Sequence, residues 1–163
     1  MTDDFRRFQL KGIDKIFFLA NEFQECAFTI VGLKGQFKNK LKSIPQNIKV
    51  LSFLSQEDLL IYLNKSEFYL QLSISEGFPN ALCEAMLCGC IPIGSKVGAI
   101  PNIIDKTGFL MGSSNNNYIK KEFKSILALN NAKRKELAHS ARKRVENEFH
   151  IEKRQNKFLD LIK

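Results

Sequence analysis

The sequence predicts an α/β fold built on a parallel sheet with helices on both faces. Three observations predict it. Apolar segments alternate between a strand-like and a helical period over roughly the first 112 residues. The best strand run, "CAFTIVG" at 26–32, is continuously apolar and β-branched, as a strand buried on both faces should be. The helices between the strands carry their own start and stop residues.

Taken in order, "KGIDKIFFLANEFQ" (11–24) places Ile13, Ile16, Phe17, Leu19 and Ala20 on one helical face. "CAFTIVG" follows as a strand closed by glycine, and "NIKVLSFL" (47–54) reads as a second strand. "SQEDLLIYLNKS" (55–66) opens on Ser55 as N-cap with Asp58 three residues on, which marks a helix. "EFYLQLS" (67–73) is a third strand. "PNALCEAMLCG" (79–89) is a helix with Pro79 at its first position and Gly89 beyond its end. "CIPIGS" (90–95) is a strand, a short helix lies near 100–104, and "GFLM" (108–111) is the last strand. Helical patterns fill the rest: 118–129, 131–149 and 151–162.

At 163 residues the chain is long enough for one domain with a real core. No repeat is visible, no apolar run approaches bilayer length, and "MTDDFRRFQLKG" is no signal peptide. The expected location is the cytoplasm, with a peripheral place at the inner membrane as the second reading. Cys26, Cys83, Cys88 and Cys90 lack zinc spacing, since Cys88 and Cys90 form C-x-C with no histidine nearby. They read as buried reduced thiols. The net charge is +8, and residues 120–163 hold thirteen Lys and Arg against six Asp and Glu. Without an aromatic-plus-basic motif this argues against nucleic acid. Contact with an anionic membrane surface stays open.

"SEGFPNALCEAMLCGC" (75–90) is the most informative stretch. It follows a strand and opens a helix, so it lies at the carboxyl edge of the sheet, where such folds bind ligands. Free amides at a positive helix terminus suit phosphate or hydroxyl oxygens. Gly77 permits close approach. Glu84, about one and a half turns into the helix, reaches the same edge and could accept from two adjacent hydroxyls. A polyhydroxylated, phosphorylated ligand fits. On physics alone, an exposed loop acid and a solvated helix acid fit equally.

"EGFPNALCEAMLCGCIPIGSKVGAIPNII" closely resembles the donor-binding domain of the retaining group 1, GT4-like glycosyltransferases, with Glu76 and Glu84 at the family's spacing of Glu, seven residues, Glu. "KGID" at 11–14, "TIVG" at 29–32 and "VLSFLS" at 50–55 resemble further family segments in the same order. The resemblance implies a Rossmann-like sheet, one half of a GT-B enzyme. It implies a single nucleotide-sugar-binding domain over 1–163, with a core at 6–112 and a helical part at 116–163. Glu76, with the amides of Gly77 and Phe78, would hold hydroxyls of the donor hexose. Asn80, Ala81 and Leu82 would offer amides to sugar and pyrophosphate, and Glu84 would take the ribose. Lys11, with Arg6 or Arg7, would neutralise the pyrophosphate. Gly32 would let the nucleotide approach, and Phe53 and Leu54 would border the base. The substrate would be a UDP-, GDP- or ADP-sugar, transferred with retention and with no metal or cofactor.

Asn102 stands where the family usually has Glu, Lys96 where Asp is common, and Ala99 where a second Gly is expected. The resemblance implies that the first strand of the donor domain would end at about Met1 and that the N-terminal acceptor domain would not be among these residues. The expectation is that these 163 residues alone transfer no sugar. They would be the donor half of an enzyme or, alternatively, a non-catalytic nucleotide-sugar-binding subunit of a split transferase. An NAD-binding module would need G-x-G-x-x-G, which is lacking.

Overall fold

In the computed structural model, residues 8–33, 43–112 and 115–149 are described. Arg6, Arg7 and the helix expected at 151–162 lie outside them.

The chain alternates as expected. Helix α1 (Ile13–Glu22) leads into β1 (Phe28–Val31), and β2 (Ile48–Leu51) into α2 (Gln56–Asn64). Then come β3 (Phe68–Gln71), α3 (Asn80–Leu87), β4 (Ile91–Ser95), α4 (Ile100–Ile104) and β5 (Phe109–Met111). Helices α5 (Asn116–Leu127) and α6 (Asn131–Glu148) close the described part. Ser55 caps α2, its hydroxyl accepting from the Asp58 amide at 3.1 Å.

Every strand pairing among the described residues is parallel. β1 pairs with β2 from Phe28↔Ile48 to Val31↔Leu51. β3 pairs with β4 from Phe68↔Ile91 to Gln71↔Gly94, and β4 with β5 from Ile93↔Phe109 to Ser95↔Met111. The single sheet the sequence suggests is thus divided: among the described residues, no strand joins β1 to β3. One core nevertheless runs beneath both parts. Phe28, Ile30 and Ile48 share it with Leu72, Ile93 and Met111.

The alternation of side chains along β3 sorts the helices into layers. Phe68 and Leu70 face the core that holds Leu19 and Phe23 of α1 and Ile119, Phe123 and Ile126 of α5. There Phe123 meets Phe23 edge-on at 5.1 Å and stacks on Phe28 at 6.2 Å. Tyr69 points the other way, into the layer of Leu82 and Met86 of α3, Ile100, Ile103 and Ile104 of α4, and Ala141 and Val145 of α6. Helix α6 needs only a narrow stripe, Leu137, Ala141 and Val145, to dock. Arg144 fastens it further by donating to the carbonyls of Asn102 and Ile103 at the end of α4. The loop from β3 to α3 follows the carboxyl end of β3 and so lies at that edge of the sheet.

Candidate functional site

Four backbone contacts place the 72–79 loop. The Ile74 amide donates to the Leu10 carbonyl at 2.8 Å, joining it to the segment before α1. The Ala99 amide donates to the Gly77 carbonyl at 3.0 Å, joining it to the loop before α4. Gly98, at φ 53°, lies so close that a Cβ there would sit 1.9 Å from the Glu76 carbonyl oxygen. Gly12 does the same on the other flank: at φ 68°, its Cβ would sit 2.0 Å from the Leu72 oxygen. Only glycine meets both demands.

That approach of Gly12 brings Lys11 onto Glu76. The Lys11 ammonium donates to Glu76 Oε2 at 2.7 Å across 65 residues of sequence. The Glu76 side chain is 14% exposed, whereas that of Lys11 is half exposed. Two more donors reach the same oxygen: Gln71 Nε2 at 3.1 Å and Ser73 Oγ at 3.2 Å. The Gln71 amide also donates to Ser73 Oγ at 2.8 Å, and its own oxygen accepts from the Tyr69 phenol at 3.2 Å. Burial, then the carboxylates of Glu84 and Glu76 and the Cys90 thiol, push Tyr69 ionisation well above the ordinary tyrosine range. The phenol therefore lies within electrostatic reach of both glutamates.

Helix α3 begins one residue later than the sequence suggests. Pro79 has extended backbone (φ −79°, ψ 96°) and serves as N-cap, and Asn80 is the first helical residue. Having no N–H, proline at this point loses nothing, and its carbonyl takes the Leu82 amide at 3.1 Å. The Leu82 amide is thus engaged within the turn and its side chain is fully buried. The amides of Gly77, Asn80 and Ala81 donate to no acceptor among the described residues, and Asn80 and Ala81 are exposed. The Glu84 carboxylate accepts no hydrogen bond among those residues either.

The other residues singled out from sequence are more dispersed. Gly32, at φ 86°, ends β1, where its amide donates to the Leu51 and Ser52 carbonyls at 3.1 and 3.3 Å; a Cβ there would meet open space. Phe53, just beyond β2, is 82% exposed, and Leu54 is half-buried. Phe78 packs its ring on Phe149 of the α6 terminus at 5.7 Å. With Asn102 and Arg144 it lines a groove of about 540 Å³ that contains neither Glu76 nor Glu84. A smaller cavity of about 150 Å³ near Glu67 and Ile91 lies at the amino end of the strands, away from all these residues. Tyr69, Gln71, Ser73 and Gly98 escaped the sequence reading. The one available signal was polar residues at alternate positions, 69, 71 and 73, in an otherwise apolar strand.

The family described as "Glycosyl transferases group 1" matches residues 6–144. Trehalose synthase of Pyrococcus horikoshii is 32% identical over 133 residues, 77% of this chain and 31% of that protein. The chain spans between about a fifth and a third of the length of the curated relatives it matches. The solved C-terminal domain of LpcC, a group 1 family glycosyl transferase of Francisella tularensis, superposes with a TM-score of 0.71 at 20% identity. That match covers 87% of this chain and 81% of that one. HepE of Anabaena, solved in complex with UDP and glucose, superposes with a TM-score of 0.70 at 17% identity, over 94% of this chain and 45% of that one. The fold is that of the Rossmann-like halves of GT-B glycosyltransferases. The chain belongs to the group 1 glycosyl transferase family.

Proposed function

We propose that this chain is the C-terminal, donor-binding domain of a retaining, GT4-like GT-B glycosyltransferase and that it binds a nucleoside-diphosphate sugar. The observation that carries the reading is the pair Glu76 and Glu84 on either side of the α3 N-terminus, with Lys11 on the first of them. The pair has the spacing of the family's donor signature. Glu76, with the Gly77 and Phe78 amides, receives the hexose hydroxyls; Glu84 receives the ribose; the Asn80 and Ala81 amides and Lys11, with Arg6 or Arg7, receive the pyrophosphate. The printed ligands of HepE, UDP and glucose, are of this class.

The chemistry is front-face substitution. An acceptor hydroxyl forms the new bond to the anomeric carbon on the face from which the nucleoside diphosphate departs, and its proton passes to the departing phosphate oxygen. The cationic side chains and helix-end amides stabilise the charge that grows there, so the reading needs no metal or cofactor. The acceptor, a cell-surface glycan in this reading, is held by a second domain in cis or trans. The protein works in the cytoplasm in this reading, with a peripheral place at the inner membrane as the second reading. Among the described residues no helix is long and apolar enough to cross a membrane.

Calorimetric titration of the chain with UDP, GDP, ADP and UDP-glucose, repeated on Glu84→Ala, tests the reading. Binding of one nucleotide, weakened at least tenfold in the variant, is expected. A well-folded chain that binds none of them refutes it. Turnover by a complex with a separate acceptor protein, and not by a continuous two-domain chain, would favour the split-subunit alternative.

A further inference from the structure

Beneath Glu76 the structure holds a buried polar chain that the donor reading does not use. In a strand covered on both faces, polar side chains are costly unless each is satisfied. Gln71 is 9% exposed and Ser73 is fully buried. Together with Tyr69 they occupy three successive positions on one side of β3 and its extension. Their side chains bond to one another and to Glu76.

The chain has a direction. The Tyr69 phenol, kept protonated by burial and by the neighbouring Glu84 and Glu76 carboxylates, can donate to the Gln71 oxygen. That contact sets the amide so that its nitrogen faces Ser73 and Glu76. Ser73, having accepted from Gln71, spends its own hydrogen on Glu76. Every hydrogen in the chain therefore runs toward Glu76 Oε2, and Lys11 adds its own. Glu76 Oε1 accepts nothing among the described residues. One oxygen is fixed by three donors, and the other keeps its lone pairs for a ligand hydroxyl.

We propose that Gln71 and Ser73, aligned by Tyr69, are positioning residues that lock the Glu76 carboxylate and so set how strongly the site prefers a sugar nucleotide over the bare nucleotide. The proposal rests on the donor reading. If Glu76 meets the hexose and Glu84 the ribose, loosening Glu76 harms only the sugar contribution.

The test compares nucleoside diphosphate with its glucose conjugate, on wild type, Gln71→Met and Gln71→Glu. In Gln71→Met, affinity for the bare nucleotide stays within about threefold, while affinity for the sugar nucleotide falls about tenfold, the loss expected for one hydrogen bond to a charged group. In Gln71→Glu the introduced carboxyl faces Glu76, with Lys11, Tyr69 and Glu84 nearby. Two carboxyls that close share a proton at acid pH and repel when both ionise. The preference should thus return at pH 5 and vanish at pH 8, each measured against wild type at the same pH so that the nucleotide's own titration cancels. A purely packing role for Gln71 would not follow pH.

An unchanged preference in Gln71→Met overturns the proposal while leaving the donor reading intact. Failure of wild type to bind any nucleotide overturns the donor reading and the preference with it. A thermal-melt cycle over Gln71→Met, Glu76→Gln and the double variant tests the lock without ligand. Non-additive shifts are expected, and additive ones overturn it. If the Gln71 variants fail to fold, Ser73→Ala serves in the same measurements.

Discussion

Replacing Gly98 by alanine is the most informative perturbation, because its effect can be worked from two independent terms. The first is backbone conformation: φ 53° is left-handed, which costs a non-glycine residue about 1–2 kcal/mol. The second is contact. The new methyl would lie 1.9 Å from the Glu76 oxygen, 2.8 Å from its carbonyl carbon and 3.0 Å from the Gly77 oxygen. All three are main-chain atoms, so no rotamer relieves the clash. An ordinary carbon–oxygen approach is about 3.3 Å, so the two loops must part by about 1.4 Å. Such overpacking costs a further ~1–3 kcal/mol. The sum, about 2–5 kcal/mol, lowers the melting temperature by roughly 5–15 °C for a chain of this size. The displaced segment carries Glu76, and a misplacement of about 1 Å can cost a hundredfold in a positioned site. Sugar-nucleotide affinity should therefore fall more than the melt alone would suggest. Differential scanning fluorimetry and calorimetry read the two effects. A variant that melts within a degree of wild type and binds UDP-glucose normally would refute the reasoning.

Three further outcomes are expected. Asn47 Nδ2 donates to the carbonyls of Ala20, Phe23 and Cys26 at 3.0, 3.1 and 2.8 Å, tying the start of β2 to the α1–β1 turn; Asn47→Ala should cost about 2–3 kcal/mol, and a melt shift under a degree would contradict this. Burial, then the neighbouring Cys88 thiol, pushes the Cys90 thiol up to about 12, and its sulfur contacts the Leu63 and Ser66 carbonyls. With an ordinary thiol near 8.5, its contribution to stability is complete below about pH 8.5 and is lost as pH climbs toward 12. Mass-mapped labelling at pH 8 should thus reach Cys26, Cys83 and Cys88 before Cys90, and equal labelling of all four in the native chain would count against the burial argument. Asp105 holds φ 47°, ψ −120°, a region that favours glycine, while its ion pair with Arg144 is half exposed and worth little. Asp105→Gly should raise stability by about 1 kcal/mol; a lower melting temperature would show that the ion pair outweighs the strain.

Much of this architecture was legible because the strands announce themselves. Phe28–Val31 and Ile91–Ser95 are short apolar runs, and Ser55 and Gly89 punctuate their helices as composition suggests. The limits of the strands were less so. The run at 47–54 pairs only over Ile48–Leu51, and the next apolar residue, Phe53, stands in the open. Apolar character marks what could be buried, not where pairing stops. Among the described residues no strand joins β1 to β3, and which strands meet is not encoded in any local pattern. At the candidate site, the Glu76–Glu84 spacing was visible as a motif. The polar chain under Glu76 was not, because a strand with both faces covered hides which side Gln71 takes. The approach of Gly98 to Glu76 joins two loops on either side of α3 and β4, and in sequence it is only one glycine among nine.

The ion pair between Lys11 and Glu76 has a kinetic consequence. The ammonium that a pyrophosphate would seek is already matched within the protein, at 2.7 Å, by a carboxylate. At a distance of several ångströms the two charges cancel, so they exert little pull on an approaching dianion. The pair itself therefore adds little long-range attraction, and steering of an anion is left to the remaining charge of the chain, which is +8 overall. What the pair offers instead is an exchange at close range. On the donor reading, phosphate oxygens would compete for the lysine, while the glutamate, still held by Gln71 and Ser73, would meet a hydroxyl on the same molecule. A ligand with both groups would use both ends of the pair, whereas one with phosphate alone would use only the lysine.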